Sequence, residues 1–243
     1  NKKLGKRDGA KDAMEYLCDG ILVEALDNFI ASMGWNDGTE QEIFSLGELV
    51  EKFTLERVGR SGARFDENRL IWLNGQWIKK LDFDDLYERT VGNNVNFWGE
   101  NGAKATDDER KKVLIVVRDR LKTLADLGQL SEYFFARPQS NWTMVDENKQ
   151  LKKLSRDEQI GLLKSATEKL EKISDDDWSA ENLQSNLNEL LVETESKPPQ
   201  LFGIIRFTLT WAPFSPGLPE TMELLGKAEV IGRLDDAITS GRA

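Results

Sequence analysis

The sequence predicts a mainly all-α protein, and three observations lead to that fold class. Apolar side chains over residues 16–33 recur mostly at spacings of three and four, as on one face of a helix. Three capping boxes, each a Ser or Thr followed three residues later by Glu, mark helix starts at Ser45, Thr106 and Ser155. No proline precedes Pro138, so the first half of the chain contains no helix breaker of that kind.

The elements follow in chain order from these signals. After the 16–33 stretch, the capping residues and later Ser, Pro and Gly positions predict helices over about 45–53, 106–127, 155–173, 179–192, 219–225 and 228–239. Two polar stretches, 92–105 and 139–148, are predicted as irregular linkers. We therefore expect domain boundaries near residues 81 and 145.

One segment leaves its secondary structure open. Residues 201–210 are rich in β-branched and aromatic side chains, so propensity alone predicts a strand. The surroundings are helical, however, and no partner strand with period-two alternation is visible. Tertiary context often overrides such short runs, so a buried helix is the preferred interpretation.

Composition excludes several kinds of site. The 243 residues carry a net charge of −10 and no histidine, so no imidazole base and no His-ligated zinc can arise within this chain. The single cysteine, Cys18, is predicted to be a buried, inert thiol on a helix face. No apolar run approaches the ~20 residues of a membrane helix, and the basic N-terminus lacks the apolar region of a signal peptide. We expect a soluble, cytoplasmic protein.

Positive charge is concentrated in two stretches of this acidic chain. Residues 2–11 contain five Lys or Arg against one Asp, and residues 52–80 contain seven against three acids. Such segregation predicts faces that meet an anion such as phosphate. Two alternatives remain at this point, which are a disordered basic tail for the first stretch and chance clustering for the second.

The basic N-terminal stretch also has a recognisable pattern. Lys3-Leu4-Gly5-Lys6-Arg7 resembles the KMSKS-type signature of class I aminoacyl-tRNA synthetases. Further blocks of the chain resemble sequence blocks of one branch of these enzymes, in the same order. These blocks are 20–35, 42–49, 65–78, 120–124 with 134–135, and 206–227. Together they resemble the C-terminal half of a bacterial-type glutamyl-tRNA synthetase. The chain departs from that pattern at Gly5, usually Ser, and at Trp211, usually Gly.

The resemblance implies an elongated architecture of three parts. A KMSKS-type loop and helical stem-contact domain would occupy residues 1–80. Two all-helical anticodon-binding subdomains would follow, over 81–145 and 146–243. It also implies that the 201–210 segment is helical, since the related enzymes with β-barrels in this place show a series of short strands.

The resemblance assigns roles to particular residues. Lys3 and Lys6 would be catalytic, and with Arg7 they would bind ATP and stabilise charge on the reacting phosphates. Arg120 would read the third anticodon base as cytosine, because a guanidinium offers only donors and cytosine offers acceptors. The other anticodon bases would be contacted by Arg206, Ser215, Pro216 and Leu218. No metal-binding residue is expected.

The implied activity is ATP-dependent attachment of glutamate to its tRNA. ATP with Mg²⁺ and L-glutamate would bind through an N-terminal nucleotide-binding domain, so this chain alone is expected to be inactive. The expected partner is the glutamate-specific tRNA, with no membrane association and a monomeric state. Six basic residues would meet tRNA phosphates, and they are Arg57, Arg60, Arg64, Arg69, Lys79 and Lys80.

Other interpretations stay open on sequence alone. The chain can be a stand-alone tRNA-binding module without ligase activity, or a helical scaffold for proteins. Residues 213–219 also contain a PxxP pattern of the kind that SH3-type domains bind. Trp72 and Trp77 suggest base stacking, but core packing is the preferred prediction for both.

Overall fold

The computed structural model describes residues 11–59, 65–92 and 95–242. Within these ranges it contains fourteen α-helices, short 3-10 turns and no β-strand, and its one isolated β-bridge joins Trp35 to Val58. The all-α prediction is confirmed.

The helices are short to medium in length. In chain order they are α1 (Ala13–Cys18), α2 (Val23–Ser32), α3 (Leu46–Lys52), α4 (Glu67–Lys80), α5 (Phe83–Val91), α6 (Gly99–Gly102), α7 (Asp107–Val117), α8 (Asp126–Phe135), α9 (Trp142–Glu147), α10 (Arg156–Glu171), α11 (Ala180–Glu193), α12 (Pro198–Thr210), α13 (Leu218–Leu225) and α14 (Lys227–Ser240). Three 3-10 turns are described, at Leu55–Arg57, Arg118–Arg120 and Leu151–Lys153.

The chain divides into two compact units. Unit 1 comprises the described residues up to Gly99 together with Arg118–Gly128, and unit 2 comprises Glu100–Val117 and the described residues from Gln129 onward. The chain therefore passes from unit 1 to unit 2 after Gly99 and returns to unit 1 at Arg118. It enters unit 2 again after Gly128, within α8. The three-part division at 80 and 145 stays a prediction.

Unit 1 has its core where α2 packs against α4. Leu26 and Phe29 of α2 are buried, as are Leu73 and Trp77 of α4. The buried amide of Asn28 fastens the two helices to the following loop, because its Oδ1 accepts from the Trp77 indole at 3.3 Å and from the Phe44 amide at 3.1 Å. A buried polar group that is satisfied in this way specifies one packing arrangement.

The three predicted capping boxes are confirmed. At Ser45 and Ser155 the hydroxyl accepts from the amide of the third helical residue, and the Glu there reaches back to the cap amide. Thr106 and Glu109 make the same reciprocal pair, at 3.3 and 2.8 Å. These contacts satisfy first-turn donors that a helix leaves unpaired.

The capping box of α3 predicts a pH dependence. The Ser45 amide and hydroxyl donate to the Glu48 carboxylate at 2.7 and 2.8 Å, and they lower the Glu48 pKa from 4.5 to about 2. Because the folded pKa lies below the unfolded one, the stabilisation is complete above the unfolded pKa and is lost as the pH falls through the folded pKa.

Glu48→Gln, which cannot titrate, is the variant that checks this. We expect wild-type and variant denaturation midpoints to differ most above roughly pH 5 and to converge as the pH falls from about 4.5 toward about 2. A midpoint difference that stays constant through that range would contradict the prediction.

The predicted single helix over 106–127 is wrong. Helix α7 ends at Val117, a 3-10 turn covers Arg118–Arg120, and α8 begins at Asp126. The Asp126 carboxylate accepts from the amides of Lys122 and Thr123, both at 2.8 Å, and so stabilises a turn in which Leu121 and Leu124 are buried. An Asp side chain that competes for backbone donors in this way favours a helix start over a helix interior.

Unit 2 is a helical core built around α10, α12 and α14. Buried apolar residues from these helices pack with others from α11 and α13, and one example from each of the five is Leu163, Leu187, Ile204, Met222 and Leu234. The strand-like segment 201–210 lies within α12, so the preference for a buried helix is confirmed. Its β-branched residues are accommodated because burial, rather than intrinsic propensity, decides their conformation.

Two packing predictions are corrected. Cys18 is exposed, because α1 has only six residues and buries none of them. Trp77 is 6% exposed and packs in the core as predicted, whereas Trp72 is 44% exposed. Five positions on a helix separate the two indoles by about 140°, so one buried face holds only one of them.

Candidate nucleic-acid interface

The segment that carries Arg120 is fastened to α4 by its neighbour Arg118. The Arg118 guanidinium donates to the backbone carbonyls of Ile78 at 3.2 Å and Lys79 at 2.9 Å, and also to that of Leu81. These carbonyls belong to the last turn of α4, where a helix leaves acceptors unsatisfied and where its dipole favours a cation. Arg118 therefore has a structural role in unit 1.

A buried amide holds the same segment from the other side. Asn74 of α4 accepts from the Leu22 amide at 2.7 Å, and its Nδ2 donates to the carbonyls of Gly20 at 3.2 Å and Lys122 at 2.7 Å. Beside it, the Leu121 carbonyl lies 3.4 Å from the position that a Cβ would take at Gly75. The backbone around Arg120 is thus fixed both before and after that residue.

Arg120 itself is exposed. It makes no hydrogen bond or ion pair within the part of the chain that the structure describes, in contrast to Arg118 two residues earlier. A side chain on a rigid backbone, with its donors in solvent, is arranged to bind a partner with little loss of backbone freedom.

In unit 2, the half-buried Arg206 lies on α12 beside Tyr133. Burial raises the pKa of the Tyr133 phenol, and the charges of Arg206 and Arg233 oppose that shift. The phenol is therefore neutral at physiological pH.

A buried arginine positions the end of α12. Arg233 of α14 donates to the carbonyls of Leu209 and Tyr133, the latter at 2.7 Å, and to the Glu229 carboxylate at 2.8 Å. Arg137 binds the same carboxylate at 2.6 Å, and its hydrogen bond is the largest cause of the lowered Glu229 pKa. These charge-assisted hydrogen bonds link α12, α14 and the end of α8 to one another.

Helix α12 ends at Trp211 in an unusual conformation. Trp211 has φ 43° and ψ 36°, the left-handed region that glycine adopts most readily. The Gly that the resemblance implies at this position would adopt this conformation without strain. Here the indole packs edge-on against Trp142 with ring centroids 5.6 Å apart, an interaction that offsets part of the backbone strain.

The predicted anticodon residues beyond Trp211 are largely buried. Ser215 is 8% exposed and Leu218 is 4% exposed, and Pro216 is buried between them. Leu218 belongs to the hydrophobic core of unit 2, while the Ser215 hydroxyl lies 3.3 Å from the Pro216 carbonyl. These residues and Arg206 lie in unit 2, whereas Arg120 lies in unit 1.

Several basic residues predicted to meet phosphate are exposed. Arg57, Arg69, Lys79 and Lys80 all have exposed side chains in unit 1. Arg69 forms a long ion pair with Glu42 at 3.7 Å, and the Lys80 ammonium lies 5.0 Å from the Trp77 ring centroid. Lys3, Lys6, Arg7, Arg60 and Arg64 lie outside the described residues.

Residues 11–59, 65–92 and 95–242 contain neither a cluster of metal ligands nor a membrane-spanning helix. No group of three or more Cys, Asp or Glu side chains is placed to hold a metal ion there. No helix in those ranges has the length and apolar character that crossing a membrane requires.

Sequence reasoning gave no role to Asn74, Arg118 or Phe214. Asn74 is part of the 65–78 block. It is a polar residue within an otherwise apolar stretch, and that pattern could have indicated a buried, hydrogen-bonded side chain. Nothing local distinguishes Arg118 from Arg120, because the difference arises from contact with α4.

The comparisons with known proteins agree with this architecture. Residues 83–238 match the family model described as "Anticodon binding domain". The chain is 31% identical to glutamate–tRNA ligase 2 of Caldicellulosiruptor saccharolyticus over 236 residues, which cover 96% of this chain and 47% of that protein. It is 32% identical to the glutamate–tRNA ligase of Dehalococcoides mccartyi, covering 97% of this chain and 48% of the relative.

A solved structure extends the similarity to three dimensions. The crystal structure of a glutamate tRNA ligase from Elizabethkingia meningosepticum in complex with its amino acid matches with a TM-score of 0.75 and 25% identity, covering 99% of this chain and 49% of that one. The chain thus spans about half the length of the relatives it matches. The resemblance to glutamyl-tRNA synthetases is confirmed, and this chain belongs to the anticodon-binding-domain family.

Proposed function

We propose that this chain is the tRNA-recognition part of a glutamate–tRNA ligase. The observation that carries the proposal is the anticodon-binding-domain match over 83–238, because that range includes both Arg120 and the α12–α13 region. Arg120 reads the third anticodon base, and Arg206, with the loop containing Ser215, Pro216 and Leu218, contacts the others.

The chemistry of reading follows from the donor and acceptor pattern. Bases of an unpaired loop present their Watson–Crick edges to the protein, unlike bases inside a helix. An arginine fork donates two parallel hydrogen bonds, which suits the adjacent acceptors of cytosine. Because Arg118 and Asn74 fix the backbone on both sides, the segment that presents Arg120 to that edge is held in one place.

Affinity for the tRNA backbone comes from a different set of groups. Arg57, Arg69, Lys79 and Lys80 place four exposed cations on unit 1 of an acidic chain. Contacts of this type position the nucleic acid and make binding depend on salt, but they do not read sequence.

The remaining chemistry belongs to the whole ligase. ATP with Mg²⁺ and L-glutamate bind through a nucleotide-binding domain, and Lys3, Lys6 and Arg7 stabilise the charge on the phosphates as the adenylate forms. The protein acts in the cytoplasm, as a monomer.

A filter-binding titration with glutamate-specific tRNA tests the proposal. Four neutralised phosphates would lower the affinity roughly 50- to 150-fold between about 50 and 200 mM salt. Lys79→Gln should reduce the slope of log affinity against log salt by about 0.7–0.9. A folded sample that does not bind this tRNA at about 50 mM salt, or binds with no salt dependence, would overturn the proposal.

A further inference from the structure

The loop between α12 and α13 presents an aromatic ring to solvent. Phe214 is 68% exposed, which makes it the most exposed aromatic side chain in the described ranges. Its neighbours Ser215 and Pro216 are both buried. This is the reverse of the order that hydrophobicity alone would favour, since a phenyl ring gains more from burial than a serine.

The ring cannot turn inward without rearranging the loop. Trp211 anchors the start of the loop on Trp142, and Leu218 anchors its end in the core. Proline on either side, at 213 and 216, restricts the backbone that carries Phe214. The exposed ring is thus held on a short, stiff segment, so little conformational entropy is lost when it binds a partner.

We propose that Phe214 is a stacking platform for the first or second base of the anticodon. This inference rests on the proposed function, in which the α12–α13 region meets those two bases. Ser215, Pro216 and Leu218 have buried side chains that shape the loop, and Phe214 is the side chain that it offers outward. Bases splayed from an RNA loop stack on aromatic rings, and such stacking tolerates any base because each has a π-face.

Measuring the affinity of the 243-residue chain for the anticodon stem-loop of a glutamate tRNA tests the inference. Phe214→Leu keeps apolar volume but removes the aromatic face, and we expect it to weaken binding about 5- to 100-fold. Phe214→Trp restores a ring and should bind at least as well as wild type. Val192→Ala, an exposed apolar position on α11 in the same unit, is the matched control and should bind as wild type does.

Stem-loops that lack one base identify the stacked position. Removing the stacked base, either the first or the second, should weaken binding to wild type more than it weakens binding to Phe214→Leu, as a double-mutant cycle requires for an interacting pair. Removing the third base should weaken binding to wild type and to Phe214→Leu equally.

The outcomes separate this inference from the proposed function. If wild type binds the stem-loop and Phe214→Leu binds equally well, stacking is overturned while tRNA recognition stands. Coupling at the third base alone, or a loss that Phe214→Trp does not restore, also overturns stacking. If wild type does not bind the stem-loop, the proposed function fails and stacking fails with it.

Discussion

Replacing Arg120 with Gln is expected to remove the preference for cytosine at the third anticodon position. The guanidinium is exposed and has no partner among the described residues, so its donors are available for a base edge. A bidentate side chain–base pair contributes about 1–3 kcal/mol of discrimination, which corresponds to roughly 5- to 150-fold. Affinities for two stem-loops that differ only in cytosine or guanosine at that position measure the ratio.

Lys122→Gln is the matched control for this experiment. Lys122 is also exposed, lies two residues from Arg120 and loses the same unit of charge on substitution. We expect it to leave the ratio between the stem-loops unchanged, because a phosphate contact does not distinguish bases. Denaturation midpoints of both variants should match wild type. An unchanged ratio in Arg120→Gln would show that this residue is not the reader.

The prediction depends on the contrast between two arginines that the sequence does not distinguish. Arg118 and Arg120 carry the same charge and lie in the same 3-10 turn. The Arg118 side chain nevertheless donates to the last carbonyls of α4, whereas the Arg120 side chain is exposed to solvent. The resemblance to a family motif selected Arg120, whose side chain is exposed in the structure. The structural role of Arg118 depends on a tertiary contact, which no local pattern encodes.

Local signals explain why much of the fold was predictable. Each capping box needs only a hydroxyl and a carboxylate three residues apart, so Ser45, Thr106 and Ser155 marked helix starts correctly. The start of α8 was missed because it depends on the Asp126 side chain, which accepts hydrogen bonds from the amides of Lys122 and Thr123 in the preceding turn. The helix over 198–210 contradicts local propensity, because burial there overrides it, and its prediction relied on the helical surroundings and on the family resemblance.

The candidate site was less accessible to sequence reasoning than the fold. Which side chains of the α12–α13 loop face solvent is decided by anchoring at Trp211 and Leu218, and both anchors involve residues distant in the chain or in the core. Hydrophobicity would place Phe214 inside and Ser215 outside, and the structure has the opposite arrangement. Tertiary anchoring of this kind cannot be derived from composition or spacing.

Gly20→Ala is expected to destabilise unit 1 strongly. Gly20 has φ +82°, and an added Cβ would lie 2.6 Å from the backbone nitrogens of both Leu124 and Ala125. The Gly20 carbonyl also accepts from the Leu124 amide at 3.0 Å. Strain in the left-handed region and overpacking each cost about 1–3 kcal/mol, so a loss of at least about 2 kcal/mol should appear in chemical denaturation.

The same substitution should also displace the segment that carries Arg120. Gly20 and Lys122 are both bonded to Asn74, so displacing Leu124 and Ala125 moves the backbone that Asn74 holds. We expect weaker stem-loop binding as well as lower stability. Gly47→Ala, whose added Cβ meets only the Ser45 hydroxyl at 4.0 Å, is the control and should be neutral or slightly stabilising, as Ala is in a helix. Equal stability of the Gly20 and Gly47 variants would mean that the 118–125 segment is not held against Gly20 as described.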